Sequence, residues 1–342
     1  MGRPTIRDLA EAADVSVSTV NRVIGGRGKV REATIQRVLA AAETIGFYGL
    51  GAIQQRMTVT TRRYEFAVIL LQRNRRFYQA LARALDQAAA GVLDADVRVR
   101  LSFIEDLSPD HVAARIAKLG AASDGLAVVA AEHPLVTEAI DDLLARGVPV
   151  FSLISPLSAR GKIGFVGLDN WKVGRTAAWA FDRMCRMPGK IGILVGNHRY
   201  RCQELNESGF RSYFREFGAG FALLEPLSTF ESAAIAREMT EKLLADHQDL
   251  RGLFISGGGI TGTLAALRES GRVSQLVSIG YELMETTKAA LMDGTLTLVI
   301  SHPLQRLAAK TIAAMVQARS AGDAMAGQTV LLPFDIHTAE NL

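Results

Sequence analysis

Cysteine is scarce and long apolar runs are missing. The two cysteines, Cys185 and Cys202, are too few for a disulfide framework and do not form a C-x-x-C metal pair. No stretch reaches the roughly 18 consecutive apolar residues that span a bilayer. The opening residues, MGRPTIRDLAEAADV, lack a charged-then-apolar signal pattern, so the chain is expected to work in the cytoplasm without a membrane partner. Its histidines (His111, His133, His198, His247, His302, His337) form no H-E-x-x-H and no i,i+4 pair, and no metal site is expected. No serine stands in G-x-S-x-G, and repeats and low-complexity tracts are absent. No catalytic residue is assigned, and the chain is not expected to be an enzyme.

What is present is a large apolar content, 49% of 342 residues, enough for two or three domains. Charge is unevenly spread along it. Residues 1–63 hold ten Arg and Lys against five Asp and Glu, a net +5, while the remainder holds 29 against 30. The whole positive excess sits in the first sixth of the chain. That pattern fits a small polyanion-binding module on a near-neutral body; the plainer reading is a merely solvated basic start.

The segment itself favours the first reading. Thr5 with Asp8 three residues later can cap a helix over 5–13 that buries Ile6, Leu9, Ala10 and Ala13. Ser16 can cap a second helix, 17–24, with Val20, Val23 and Ile24 inward and Gly25-Gly26 as its stop. A third, 31–45, places Ile35, Val38, Leu39, Ala42 and Ile45 on one face and stops at Gly46. The second helix of this helix-turn-helix unit then presents Val17, Ser18, Asn21 and Arg22 outward. In a major groove Arg pairs bidentately with guanine, Ser and Asn reach base edges, and Val meets a thymine methyl. Ser16, Thr19, Lys29 and Arg31 are placed to hold phosphates at the rim.

Here a resemblance enters. TIRDLAEAADVSVSTVNRVIGG followed by VREATIQRVLAAAETIGF resembles the headpiece of the lactose-repressor (LacI) family of bacterial transcription regulators. The resemblance implies that Val17, Ser18 and Arg22 read bases and that Thr5, Ser16, Thr19 and Lys29 touch phosphate. The family's next segment is a hinge helix that pairs in the dimer and pushes a leucine into the minor groove. This chain reads FYGLGAIQQRM there, with Arg56 at the direct match, so Met57 or Ile53 is the apolar candidate.

From residue 65 onward apolar strands alternate with amphipathic stretches. Strands are expected at 65–71, 98–104, 125–131, 149–155, 162–168, 190–196, 221–227, 252–256, 276–282, 296–301 and 329–334. Such alternation implies two doubly wound parallel sheets in an α/β body, with ligands beyond the carboxyl ends of the strands. The polar groups expected there include Asn74, Glu132, Ser155, Asp169, Asn170, Asn197, Ser256, Gly257, Glu282 and His302, with Phe77 and Tyr78 just beyond. Amides, carboxylates and rings converging on one cleft suit a polyhydroxylated ligand such as a sugar or polyol.

This part is similar to the periplasmic-binding-protein-like effector domain, nearest its ribose-binding branch, through RRFYQALARALDQAA, GFVGLDNWKVGRTAA, ESGFRSYFREF and LLPFDIHTAENL. The resemblance implies that Asp169 and Asn170 contact ligand and that Phe77 and Tyr78 stack on it. It also departs in two places: Asn206 stands where the family often has an Arg that holds an anionic effector, and Ser256-Gly257 replaces an Asn-Asp pair.

One motif points elsewhere. Gly257, Gly259 and Gly262 form G-x-G-x-x-G after a strand, and Glu282 follows 20 residues beyond Gly262, as in a dinucleotide fold. The alternative is an NAD(P)-binding oxidoreductase or redox-sensing regulator. The main expectation needs no cofactor: a homodimeric regulator, a repressor by family habit, binding double-stranded operator DNA under control of a small sugar-like effector. Its parts would be a headpiece at 1–46, a hinge linker at 47–62 and a core at 63–342. Within the core, one subdomain would take about 63–161 and 296–325, the other about 162–295 and 326–342.

Overall fold

The computed structural model describes residues 4–25, 30, 32–48, 62–218, 220–321 and 327–342. The chain divides into two compact units, Met1–Arg63 with Val92–Asp96, and Tyr64–Gly91 with Val97–Leu342.

In the first unit lie α1 (Ile6–Ala12), α2 (Val17–Gly25) and α3 (Glu32–Thr44). Thr5 opens α1 with a capping box. Its hydroxyl accepts from the Asp8 N–H, and the Asp8 carboxylate accepts from the Thr5 N–H at 2.7 Å and the Thr5 hydroxyl at 2.9 Å. The chain then turns through Asp14, whose φ of +50° is a left-handed conformation that Asp tolerates better than most residues. Ser16 opens α2, its hydroxyl accepting from the Thr19 N–H at 3.2 Å. The three helices close over Leu9, Ala10, Ala13, Val20, Val38, Ala41 and Ala42. Ile35, expected inside, is only half-buried, and Phe47, expected in the linker, is buried against this core. An aromatic ring one residue past the last turn completes a core too small to close on aliphatic residues alone.

The second unit has two lobes. The first lobe contains β1 (Arg62–Leu71), β2 (Ala95–Ile104), β3 (Gly125–Val128), β4 (Val150–Leu153), β5 (Gly164–Leu168) and β12 (Thr329–Leu332). Their order in the sheet is β12-β5-β4-β3-β1-β2. The second lobe contains β6 (Lys190–Val195), β7 (Ala222–Leu223), β8 (Leu227–Ser228), β9 (Leu250–Ile255), β10 (Val277–Tyr281), β11 (Leu298–Ser301) and β13 (Asp335–His337). Their order is β13-β11-β10-β9-β6-β7, with β8 also on β6. Helices α4 (Arg76–Ala90), α5 (Pro109–Gly120), α6 (Pro134–Ala145) and α12 (Leu304–Ala321) accompany the first sheet. The second is accompanied by α7 (Asn170–Met184), α8 (Arg201–Phe217), α9 (Ala233–Asp246), α10 (Ile260–Glu269) and α11 (Glu285–Met292). Strands such as β3, β4 and β5 are buried along their whole length, as parallel strands covered on both faces must be.

Three expectations are corrected. The strands at 164–168 and 329–332 belong to the first sheet, where β5 pairs with β4 and β12, and the strand at 298–301 belongs to the second, paired with β10. The chain therefore crosses between lobes after Leu168, after Ser301 and after Leu332, and not near 162, 296 and 326. Alternating hydrophobicity locates a strand but does not say which sheet accepts its edge. The sheets are also not wholly parallel, because β13 runs antiparallel to β11.

Each sheet reverses its winding direction beside its first strand, between β1 and β3 in one lobe and between β6 and β9 in the other. Such switch points leave a crevice at the strands' carboxyl ends, and the two crevices of this unit face each other.

Candidate nucleic-acid interface and effector cleft

On α2 the apolar stripe goes inward at Val20, with Val23 and Ile24 half-buried, and Val17, Ser18, Asn21 and Arg22 are exposed. Val17 has 41% of its surface open, which is unusual for a valine in a folded helix and suits an apolar contact with a base. Ser16, Ser18 and Thr19 share hydroxyl hydrogen bonds of 2.8 and 2.9 Å. The Arg22 guanidinium folds back along its own helix, donating to the Ser18 carbonyl at 3.3 Å and to the Thr19 hydroxyl at 3.4 Å. These are long, solvent-exposed bonds that a better acceptor can replace. The Thr5 hydroxyl is engaged in its capping box, and the Thr5 N–H and hydroxyl together hold the Asp8 carboxyl below its ordinary 3.8. Lys29, Arg31 and Met57 lie outside the described residues.

In the second unit a cavity of about 540 Å³ opens between the lobes. Asn74, Phe77 and Tyr78 line it from the loop after β1 and the first turn of α4. Ser155 lines it after β4, Ser256 and Gly257 after β9, and Glu282 after β10. The structure thus brings seven of the thirteen expected effector residues to one surface.

The other six lie off it. Glu132 fastens the two lobes from outside the cavity: its N–H donates to the Arg199 carbonyl at 2.7 Å and its carboxylate accepts from the Ser158 N–H. Asp169 caps α7, accepting from the Lys172 N–H at 3.2 Å. Asn197 turns back to accept from the Arg199 N–H. Asn170 and Asn206 form a buried layer behind Ser256. The Asn206 amide nitrogen donates to the Asn170 carbonyl and its oxygen accepts from Ser256 Oγ, an orientation set by these neighbours. His302 is buried behind Phe77 and Tyr281, with ring centroids 6.1 and 6.0 Å away. Its Nδ1 lies 2.5 Å from Glu282 Oε1 and its N–H donates to Glu282 Oε2, so the carboxylate is oriented by one residue. The His302 Nε2 is buried without a partner among the described residues.

Several cavity residues went unassigned from sequence. Arg75 donates from Nη1 to Glu231 Oε2 at 2.5 Å, from Nη2 to the Glu231 carbonyl at 3.0 Å, and from Nε to Gln72 Oε1 at 2.7 Å. Gln203 donates to the other Glu231 oxygen at 2.8 Å and accepts from the Gly196 and Asn197 N–H groups. Tyr78 and Tyr281 also border the cavity with Tyr200, and burial raises all three phenols above their ordinary value, so each stays an O–H donor. Burial likewise pushes the Cys202 thiol up to about 12, which leaves it unreactive. Arg75 follows Asn74 directly and was within reach of the strand-end argument. Glu231 was not, because Phe230 and Glu231 adopt φ of +49° and +61° with no Gly or Asn to announce the turn.

Among the described residues six non-glycine positions have left-handed φ, and four of them, Gln72, Ile154, Glu231 and Glu282, border the cavity. Such conformations cost of order 1 kcal/mol or more each and gather at ligand sites.

The glycine motif has a different use from the one its spacing advertised. A Cβ at Gly262 would overlap the Ala233 carbonyl where α10 meets α9, and one at Gly257 would overlap the Gly196 backbone. Gly259 adopts φ of +86° against Ser232. These glycines accommodate the chain's own atoms, and the dinucleotide alternative has no support.

The family described as periplasmic binding protein domain matches residues 66–323, and that described as bacterial regulatory proteins, lacI family, matches residues 5–49. An HTH-type transcriptional regulator of the aml 5′ region of Streptomyces limosus is 28% identical over 218 residues, 62% of this chain and 58% of its own. A D-ribose/D-allose-binding protein of Pseudomonas aeruginosa is 23% identical over 178 residues, 50% of this chain and 55% of its own. The matched region thus spans little more than half the length of either relative. A solute-binding protein of an ABC transporter from Burkholderia graminis, solved with D-arabinose, has the same fold, with a TM-score of 0.75 at 18% identity over 82% of this chain and 97% of that one. By the match over most of its length the chain belongs to the periplasmic binding protein domain family, and its residues 5–49 match the DNA-binding domain of the lacI family of bacterial regulatory proteins.

Proposed function

We propose that this protein is a ligand-responsive, DNA-binding transcription regulator, and a repressor in its basal action. It acts in the cytoplasm as a homodimer whose two headpieces read a pseudo-palindromic operator, as two-fold symmetry requires. The observation that carries this reading is the outward set Val17, Ser18, Asn21 and Arg22 on α2, held by a buried Val20. Base-reading side chains on an otherwise well-packed helix have no purpose within their own unit. The local net charge of +5 supplies the phosphate attraction that such a helix needs.

The effector is a small sugar or polyol bound in the interlobe cavity. Protonated tyrosine hydroxyls, the Glu282 carboxylate and the Phe77 ring offer the mix of donors, acceptor and apolar plate that a polyhydroxylated ring needs. The relatives that bind D-ribose, D-allose or D-arabinose support the same class. Coupling requires only that the effector bind one interlobe state better than the other. No step of this function is catalytic and none uses a cofactor.

Selection of full-length protein on a random duplex library tests the DNA half. Enrichment of a two-fold symmetric site that survives excess random DNA is expected; recovery of unrelated sequences overturns it. A thermal-shift screen against neutral sugars and polyols tests the other half, since a ligand at 100 times its Kd adds about 2.7 kcal/mol of stability.

A further inference from the structure

Among the described residues Glu231 is the one cavity residue whose carboxylate is both enclosed and drawn across from the opposite lobe. It leaves the second lobe between β8 and α9, at φ of +61°, and ends on Arg75 of the first. One oxygen takes the guanidinium and the other takes the Gln203 amide. Two glycines make the room: a Cβ at Gly196 would overlap one Glu231 carboxylate oxygen and a Cβ at Gly258 the other. A guanidinium, an amide donor and a glycine-walled recess are what a ligand carboxylate or phosphate would look for in this cavity. Here the protein's own side chain fills them.

We propose that Glu231 is a specificity-determining residue, a tethered internal anion that occupies the cleft's anion position and restricts the cleft to uncharged effectors. This rests on the reading of the cavity as the effector site. A free anion must displace a carboxylate tethered to the backbone by its own short side chain, and such tethering gives effective concentrations of about millimolar or more. All three Arg75 nitrogens meanwhile already donate to Glu231 or Gln72. The remaining carboxylate of the cavity, Glu282, is turned to His302 and repels an anion further. The open question left by Asn206, whether the cleft holds an acid, is thereby answered by a residue from another element.

The test uses the full chain and inorganic phosphate, acetate and D-gluconate as probes, without DNA. Glu231→Gly removes the carboxylate and relaxes a left-handed position that glycine adopts freely, so the variant is expected to fold. It should bind at least one of the three anions ten times or more tighter than wild type by calorimetry, and Arg75→Gln added to it should abolish the gain. Glu231→Gln, which keeps the side-chain volume, should show a smaller gain of the same sign. Equal anion affinity in wild type and both single variants overturns the proposal, as does a gain that survives Arg75→Gln. Because no operator is present, failure of the DNA-binding reading leaves this result readable. A chain that binds neutral sugars nowhere in the cleft, yet gains anion binding in the variant, would separate the two readings in the other direction.

Discussion

In the helical unit the proposed base-reading side chains all come from α2, and they share one face because a helix repeats every 3.6 residues. In the core the side chains of the proposed effector site come from the ends of β1, β4, β9 and β10 and from turns such as 230–231, and they share a surface only because two sheets wind the same way. The first arrangement is a local property of about a dozen residues. The second is a property of the whole topology. The two therefore differ in what a single substitution can destroy, and the contrast can be tested at both ends.

The largest effect is expected from Leu9→Ala. Leu9 is fully buried at the centre of the headpiece core, and such truncations cost about 2–5 kcal/mol. A unit of this size buries too little surface to absorb that loss. Operator binding should vanish while calorimetric binding of an effector by the core is retained; loss of both would mean that the units do not fold independently. Next comes Gly262→Val, which drives a side chain into the α9 backbone. Overpacking costs about 1–3 kcal/mol and more where backbone must move. Its signature is the reverse: the main thermal transition falls and effector binding weakens, with the headpiece helices intact by circular dichroism.

Arg22→Ala should leave both units folded, since Arg22 makes only long bonds to its own helix. Discrimination between the selected operator and a singly substituted one should fall by about 1–3 kcal/mol. Unchanged discrimination would remove Arg22 from the base-reading set and shift the comparison back towards a merely basic arm.

The same contrast explains how much could be read beforehand. The helices expected at 5–13, 17–24 and 31–45 are found at 6–12, 17–25 and 32–44, because caps, glycine stops and apolar periodicity are all local signals. Most strands were equally legible, although the run at 221–227 forms two short strands, β7 and β8, and β13 was not anticipated. Their sheet membership was not legible: β5, β11 and β12 look like any other strand, and only pairing places them in opposite lobes from those expected. The cleft fared between. Asn74, Ser155, Ser256 and Glu282 follow from being at strand ends, but Asp169 stands at a strand end too and is spent on capping α7. A carboxylate before a helix satisfies the cap and ligand readings equally in sequence, and only geometry separates them. Glu231 shows the opposite failure, an essential neighbour of the cavity with no local mark.

The smallest effect expected concerns the Thr5–Asp8 capping box, and it tests whether the headpiece is as marginal as its size implies. Thr5→Ala should cost about 1 kcal/mol, lowering the headpiece transition with no change in the core. The box also carries a pH signature. Hydrogen bonds from Thr5 hold the folded Asp8 carboxyl below its ordinary 3.8, so its contribution to stability is present above that value and is lost as pH falls through the depressed one. The headpiece melting temperature should therefore drop between about pH 5 and pH 2 more steeply in wild type than in Asp8→Asn. The core, whose transition does not depend on this box, supplies the internal reference within the same scan. Parallel slopes in the two proteins would assign the acid sensitivity to other carboxylates, and would leave the capping box as a geometric start signal for α1 without energetic weight.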